Sequence, residues 1–159
     1  MRARRAEREV RRVKEVAPAA AEEVLAALKR RGIADGFRVE VRHRPDRPWV
    51  GWYRRRSQFR SVGPVFALNA GCLVRAGRRL EAEVALTLAH EYGHLVWEWA
   101  ELRGPRSFLE AVVEAVVDGG EEAFAEEFAQ ALVGGWPSTS IEEVLAGWGT
   151  VLRSAQSAA

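Results

Sequence analysis

The segment from Arg79 to Leu102 restricts the fold more than any other part of the chain, because it reads as one long helix that is apolar on nearly every side. A helix with so little polar surface belongs in the protein interior. One polar strip, traced at about 100° per residue, interrupts the apolar surface with Thr87, His90, Glu91, His94, Glu98 and Glu101. Burying such groups without partners costs several kcal/mol. We therefore expect a cation to lie against this strip.

The strip contains the sequence His90-Glu91-Tyr92-Gly93-His94. Histidines four residues apart lie one helical turn apart on the same face, so both imidazoles can reach one metal ion. The glutamate between them lies beside the metal, where it can accept a proton from water without being a ligand. A buried helix with hydrogen-bonded core histidines is the alternative, and the carboxylates of the strip argue against it. We predict Zn²⁺ as cofactor, His90 and His94 as metal ligands, and Glu91 as the catalytic base.

A third protein ligand is needed, because a catalytic zinc usually takes three and leaves one position for water. The remaining histidine, His43, lies in a basic stretch well before the motif. A histidine six residues after His94 would give the longer metzincin pattern, but Ala100 stands there. The third ligand is therefore expected to be a carboxylate.

The helical segment 121–129 offers four glutamates for this role. Glu122 and Glu126 lie one turn apart at the edge of its apolar arc, so Glu122 can face the metal while Glu126 supports a histidine from behind. Glu121 falls in the first turn, which is expected to fray. Glu122 is the leading candidate for the third ligand, and Glu126 and Asp118 remain as alternatives.

The chain resembles the gluzincin metallopeptidases, and within them the ImmA/IrrE branch, in two motifs: TLAHEYGHL at residues 87–95 and EAFAEEFA at residues 122–129. The strand at 65–69 is also similar to one that precedes the first motif in that branch. The resemblance implies a zinc-dependent peptidase in which Glu122 is the third ligand. Two positions depart from the branch pattern: Glu126 replaces the usual Asn or Asp, and Glu98 stands where a further histidine is frequent.

The remaining elements predict an α+β fold. We expect one domain over residues 1–159, with basic N-terminal helices in 1–34, a small three- or four-stranded sheet in 35–76 and a helical part with the metal site in 77–155. The sheet should pack on the HExxH helix and the following glutamate helix, as in zincin-like folds. Alternating or apolar runs predict strands at Phe37–Arg42, Trp49–Arg55 and Val65–Asn69.

Local signals predict where the helices begin and end. Pro18 favours the first turn of a helix, so we expect two N-terminal helices, at 4–16 and 18–31. Ser107 and Ser140 each begin a sequence typical of a capping box, which predicts a helix from Ser107 to about Gly119 and a last helix from Ser140.

Charge is unevenly distributed along a chain whose net charge is only +2. Residues 1–60 carry 18 Lys+Arg against 8 Asp+Glu, and the rest of the chain is acidic. A basic end can bind nucleic acid or an acidic partner, or it can be a solvated helix surface. The absence of a secretory signal and of a membrane-length apolar run predicts a cytoplasmic protein with no membrane partner.

Three functions are compatible with these features. The first is a zinc endopeptidase acting on protein or peptide substrates, with an extended substrate paired to the Val65–Asn69 strand if that strand is at an edge. Tyr53 and the arginines at 54–56 are candidates by residue type for stabilising the oxyanion. The second is a metal-binding regulator with little hydrolytic activity that contacts DNA or a DNA-binding protein. The third is an effector with a single host target.

Overall fold

The computed structural model describes residues 1–34, 36–54 and 64–157, and it has the predicted α+β architecture. Three strands are present in these residues: β1 (Arg38–Arg42), β2 (Gly51–Arg54) and β3 (Val65–Asn69). The helices are α1 (Arg2–Lys29), α2 (Ala70–Leu73), α3 (Leu80–Arg103), α4 (Arg106–Glu114), α5 (Glu121–Ala129) and α6 (Thr139–Ser157). A 3₁₀ segment, Val74–Arg79, leads into α3, and a π-helical turn, Gln130–Gly134, extends α5. β2 lies within the predicted strand Trp49–Arg55, whose last residue, Arg55, is outside the described residues.

The N-terminal region is one helix, so the prediction of two helices separated at Pro18 is wrong. Pro18 lies inside α1, where a proline removes one backbone hydrogen bond and strains the turn before it. The buried face continues through this position without a break in phase: Val13, Ala17, Ala20, Val24, Ala27 and Leu28. These positions repeat every three or four residues, which keeps one stripe against the core. Burial of the continuous stripe outweighs the cost of the proline.

The sheet is mixed and has the strand order β1-β3-β2. β1 is parallel to β3 and β2 is antiparallel to it. All five residues of β3 are buried. β3 is therefore central, and the expectation that a peptide could pair with Val65–Asn69 at a sheet edge is wrong, because both neighbouring positions are already taken.

α3 lies at the centre of the molecule and packs against α1, α5 and the sheet. Tyr92, which is fully buried, points from α3 into the core. Its hydroxyl accepts a hydrogen bond of 2.9 Å from the indole N–H of Trp148 on α6, and its ring stacks on Phe128 of α5. These contacts fix the rotation of α3, so that its polar strip faces away from Tyr92. Among the described residues, no helix combines the length and apolar character needed to cross a bilayer.

The two predicted capping boxes do not form as expected. α4 begins at Arg106 after Pro105, whose carbonyl accepts hydrogen bonds from the first turn, and it ends at Glu114. At the start of α6, the hydroxyl of Ser138 accepts a hydrogen bond of 3.3 Å from the backbone N–H of Ile141. The cap is therefore two residues earlier than the predicted Ser140.

Candidate metal centre

The two histidines of the HExxH sequence and one glutamate of α5 converge on a single point. The Nε2 atoms of His90 and His94 are 3.1 Å apart. The carboxylate of Glu122 straddles them, with one oxygen 3.2 Å from His90 Nε2 and the other 2.9 Å from His94 Nε2. Ligand atoms about 2.0–2.1 Å from a tetrahedral zinc lie about 3.3–3.4 Å from one another. The three side chains thus already have nearly the spacing that a shared metal ion requires, and together they could hold one.

The other ring nitrogens face two further carboxylates. Nδ1 of His90 lies 3.4 Å from Glu126, and Nδ1 of His94 lies 3.5 Å from Glu121. A carboxylate at Nδ1 favours the tautomer with its proton there, which leaves the Nε2 lone pair available. Two Nε2 lone pairs and a carboxylate that face one another repel unless a cation lies between them. A carboxylate at the ring nitrogen that faces away from the metal is the usual arrangement of metal-binding histidines.

Glu91 lies beside the histidines in a different environment. It is only 7% exposed, and it has no hydrogen bond or ion pair within residues 1–34, 36–54 and 64–157. Burial, reinforced by the negative charges of Glu122 and Glu121, raises the pKa of Glu91 to about 8. A cation nearby favours the ionised carboxylate and so opposes this shift. The site therefore has an excess of negative charge that a divalent ion relieves.

A close helix contact brings Glu122 to the histidines. Gly93 of α3 lies directly against α5, and a Cβ atom built on Gly93 would be 2.9 Å from Ala125 Cα and 3.2 Å from Phe128 Cβ. Any side chain at this position would push the two helices apart. The glycine of the HExxH sequence thus sets the distance between the histidines and the glutamate.

Replacing Gly93 by alanine should weaken metal binding and lower stability. Forcing a methyl group into a packed contact costs about 1–3 kcal/mol, and the higher helix propensity of alanine returns about 1 kcal/mol. Zinc affinity is the more sensitive measurement, because α5 carries Glu122 and pushing the two helices apart moves Glu122 away from the histidines. The matched control is Gly149→Ala on α6, whose nearest side-chain neighbour is the flexible end of Arg153. Equal zinc affinity in Gly93→Ala and wild type would show that the helix spacing does not position Glu122.

The centre opens into a cleft of about 850 Å³. His90 and His94 are 22% and 15% exposed and Glu122 is 79% exposed, so a metal held here would remain accessible to water and to a substrate. Trp49, Trp52 and Tyr53 line the cleft on the side of β2. Tyr53, one of the candidates for stabilising an oxyanion, is thus among the residues that line the cleft. The side chains of the arginines at 54–56, the other candidates, lie outside the described part of the chain.

Other residues considered from the sequence lie elsewhere. His43 pairs with Glu9 of α1 at 2.7 Å. Asp118 is exposed and does not line the cleft. Glu126, the other alternative for the third ligand, approaches Nδ1 of His90 rather than the Nε2 atoms. Of the candidates for the third ligand, only Glu122 reaches both Nε2 atoms.

Sequence reasoning missed two features of this centre. The sequence places Glu121 in a first turn that is expected to fray, yet its carboxylate lies 3.5 Å from Nδ1 of His94. Its position next to Glu122 was the available signal, since consecutive glutamates at a helix start can contact two different histidines. The role of Gly93 was also missed, although a glycine inside a strongly apolar helix often indicates close packing.

Comparison of the chain with protein-family models, with curated proteins and with solved structures gave no match. The conclusions about this centre therefore depend on its own geometry. That geometry defines a group of two histidines and one glutamate that could hold a metal ion and that lines an open cleft.

Proposed function

We propose that this protein is a zinc-dependent peptidase of the gluzincin type. In this proposal His90, His94 and Glu122 bind zinc and Glu91 is the general base. One observation carries the proposal: both Nε2 atoms converge on one carboxylate while both Nδ1 atoms face others. Carboxylates at the outer ring nitrogens are usual behind metal-binding histidines, and a cation between the two Nε2 atoms, 3.1 Å apart, would offset the repulsion of their lone pairs.

The donor atoms are compatible with zinc, and iron(II) is the competing metal that has to be tested. Two imidazoles and one carboxylate suit zinc in a hydrolytic site, and they also occur around non-haem iron(II). Glu91 distinguishes these uses, because hydrolysis needs a base beside the metal. Glu91 is buried, lines the cleft and is next to His90 in the chain. The position of Glu91 therefore favours hydrolytic zinc chemistry.

The chemistry of the proposed reaction divides between the metal and this chain. Zinc, when bound, acidifies water and polarises the carbonyl of a peptide bond. Glu91 removes a proton from the water while the oxygen of that water forms a bond to the carbonyl carbon. Glu91 then delivers the proton to the nitrogen as the C–N bond breaks. Glu126 and Glu121 hold the imidazoles in the orientation that keeps Nε2 toward the cleft. Tyr53 lines the same cleft, and in this proposal it donates a hydrogen bond to the oxyanion.

The proposal is tested by metal content and by cleavage together. Protein purified without chelators should contain about one zinc per chain, and zinc should displace added iron(II), as expected from the order of metal affinities. Zinc-loaded protein should cleave members of a peptide library, and chelation should stop cleavage reversibly. A protein that binds no zinc, or one that binds it and cleaves nothing in a broad peptide and protein library, would contradict the proposal.

A basic surface favours a second candidate, a metal-binding regulator that contacts nucleic acid. Arg5, Arg8 and Arg12 of α1 line a groove together with Arg75 of the 3₁₀ segment. Such clusters bind phosphates, and the affinity then falls with salt with a logarithmic slope of about −0.9 per phosphate contacted. Binding of duplex DNA should therefore weaken steeply between 50 and 200 mM salt (roughly the range over which such contacts are lost). Absence of that slope, or no loss of binding in Arg8→Ala, rules this candidate out.

A further inference from the structure

The side chain of Asn69, the last residue of β3, is completely buried and joins two separate parts of the chain. Its amide oxygen accepts a hydrogen bond of 3.0 Å from the backbone N–H of Arg44, and its amide nitrogen donates one of 2.8 Å to the carbonyl of the same residue. The amide nitrogen also donates a bond of 2.9 Å to the carbonyl of Trp49. One buried amide thus holds both ends of the connection 43–50, which leads from β1 to β2.

Further hydrogen bonds fix the same connection. Sγ of Cys72 on α2 donates to the carbonyl of Arg47 at 3.3 Å. The carbonyl of Val50 accepts a hydrogen bond of 2.8 Å from the backbone N–H of Asn69. Because the residues at 44–48 are exposed, these hydrogen bonds, rather than burial of side chains, determine where the connection lies.

The connection ends at Gly51, where β2 begins and the backbone lies directly against α3. A Cβ atom built on Gly51 would overlap Cγ2 of Thr87 and would lie 3.3 Å from both Cγ and Oε1 of Glu91. A residue with a side chain therefore cannot take this position unless Thr87, Glu91 or the strand moves. Since Gly51 has no side chain, its backbone covers one side of the Glu91 side chain.

The position of Gly51 depends on Asn69. Gly51 directly follows Trp49 and Val50, whose carbonyls both accept hydrogen bonds from Asn69. The contacts thus continue from the buried amide, through this short segment, to the side chain of Glu91. Misplacement of a reacting group by about 1 Å can cost about 10²-fold in rate, so contacts that fix the backbone at Gly51 affect any reaction that uses Glu91.

We propose that Asn69 and Gly51 are positioning residues, which hold the start of β2 against α3 and thereby restrict the carboxylate of Glu91 to one orientation. The inference rests on the proposed peptidase function, and it adds two residues that bind no metal and on which the rate depends. A buried asparagine that only stabilised the connection would affect the free energy of unfolding and leave turnover by the folded protein unchanged.

Replacing Gly51 by alanine tests the contact with α3. The variant should keep its zinc and lose about 10- to 100-fold in kcat, with a smaller change in KM, because the added methyl group contacts Thr87 and Glu91. Gly36→Ala is the matched control, since none of the described residues has an atom within 4 Å of a Cβ built on Gly36. Wild-type kcat in zinc-loaded Gly51→Ala overturns the proposal.

A second substitution should restore the lost activity. Thr87→Ser removes the Cγ2 atom that the new methyl group would overlap, and it keeps a hydroxyl able to donate to the carbonyl of Glu83, as Thr87 does at 2.8 Å. The kcat of Gly51→Ala/Thr87→Ser should therefore approach that of Thr87→Ser alone. A double variant no faster than Gly51→Ala contradicts the assigned contact.

Substitutions of Asn69 test the other end of this series of contacts. Asn69→Asp keeps the shape of the side chain and replaces the nitrogen that donates to two carbonyls by an oxygen. Asn69→Ser, which adds no charge, is the second variant. Each should retain zinc and lose about tenfold in kcat, and adding Gly51→Ala should lower kcat by less than it does in wild type, because both changes act on the same strand. Wild-type kcat in a zinc-loaded Asn69 variant overturns the role of Asn69, and if neither variant folds, the Gly51 variants decide the proposal.

Binding of acetohydroxamic acid provides a measurement without turnover. This compound chelates zinc through two oxygens and gives up a proton, which a carboxylate beside the metal can take up. Calorimetry should show that zinc-loaded wild type binds it about tenfold more tightly than Glu91→Gln, the effect expected for one hydrogen bond to a charged group. Gly51→Ala should bind it several-fold more weakly than wild type, and Gly36→Ala should bind it as wild type does. Equal affinities of wild type and Gly51→Ala overturn the inference.

The two measurements separate this inference from the peptidase proposal. Weaker hydroxamate binding by Gly51→Ala, with no peptide cleaved by zinc-loaded wild type, keeps the positioning roles and rejects the peptidase. Cleavage with the same kcat in wild type and Gly51→Ala keeps the peptidase and rejects the positioning roles. Wild-type protein that binds no zinc rejects both.

Discussion

Replacing Glu91 by glutamine should abolish peptide cleavage and leave zinc binding intact. Glutamine keeps the size of the side chain and cannot accept a proton. General acid–base catalysis contributes about 10²–10⁴-fold to rate. Because we propose that Glu91 serves both as base for the water and as acid for the leaving nitrogen, kcat/KM should fall by about 10³-fold or more. Zinc content measured on the same preparation should remain about one ion per chain.

The control for this prediction is Glu127→Gln, since Glu127 is exposed on α5 and does not line the cleft. It should retain both zinc and activity. Loss of zinc in Glu91→Gln would make Glu91 a ligand, contrary to the role proposed here. Retention of a tenth or more of the activity would mean that another group moves the proton.

The fold class and most elements could be predicted because their patterns are local. Phe37–Arg42 alternates with period two, and β1 forms at 38–42 within it. The apolar surface of Arg79–Leu102 predicts α3 to within one residue at each end. The order of the strands in the sheet, by contrast, is not determined by a local pattern. Nothing in Val65–Asn69 distinguishes a central from an edge strand except that its first four residues are all apolar, which favours burial on both faces.

At Pro18 the local preference of a single residue conflicts with a periodic pattern, and the pattern prevails. Proline favours the first turn of a helix, and that preference suggested a break. The spacing of Val13, Ala17, Ala20 and Val24 continues in phase across it. Burial of the stripe from Val13 to Leu28 adds up over six side chains, whereas the proline costs about 3 kcal/mol once. A periodic face that crosses a proline is therefore the stronger signal.

The candidate site was accessible from the sequence to different degrees. His90 and His94 follow from helical spacing alone, because four residues make one turn. Glu122 required an inference across two helices, from the edge of an apolar arc on α5. Contacts of the outer carboxylates depend on how closely α3 and α5 pack at Gly93, and spacing within one helix does not contain that distance. For this reason the contact between Glu121 and His94 became evident only in three dimensions.

Substitutions of the α5 glutamates should reduce zinc affinity in a graded series. Glu122→Gln removes the carboxylate that reaches both Nε2 atoms. Loss of a group behind a ligand costs about 10- to 100-fold in metal affinity, and this is the effect expected for Glu126→Gln, which faces Nδ1 of His90. The loss of zinc affinity in Glu122→Gln should be larger than the loss in Glu126→Gln. Competition with a chromophoric chelator at constant pH measures each affinity, with Glu127→Gln as the unchanged reference.

The order of the series decides between two arrangements of the centre. If Glu122 is the ligand, its loss removes zinc and activity together, while Glu126→Gln weakens zinc and recovers activity when zinc is added in excess. If Glu126→Gln proves the more severe substitution, the third ligand is Glu126, and α5 must rotate relative to α3 when the metal binds. Rotation is opposed by the contact of Gly93 with Ala125 and by the stacking of Tyr92 on Phe128. Those contacts fix the face that α5 presents, and they are the physical reason to expect Glu122 first.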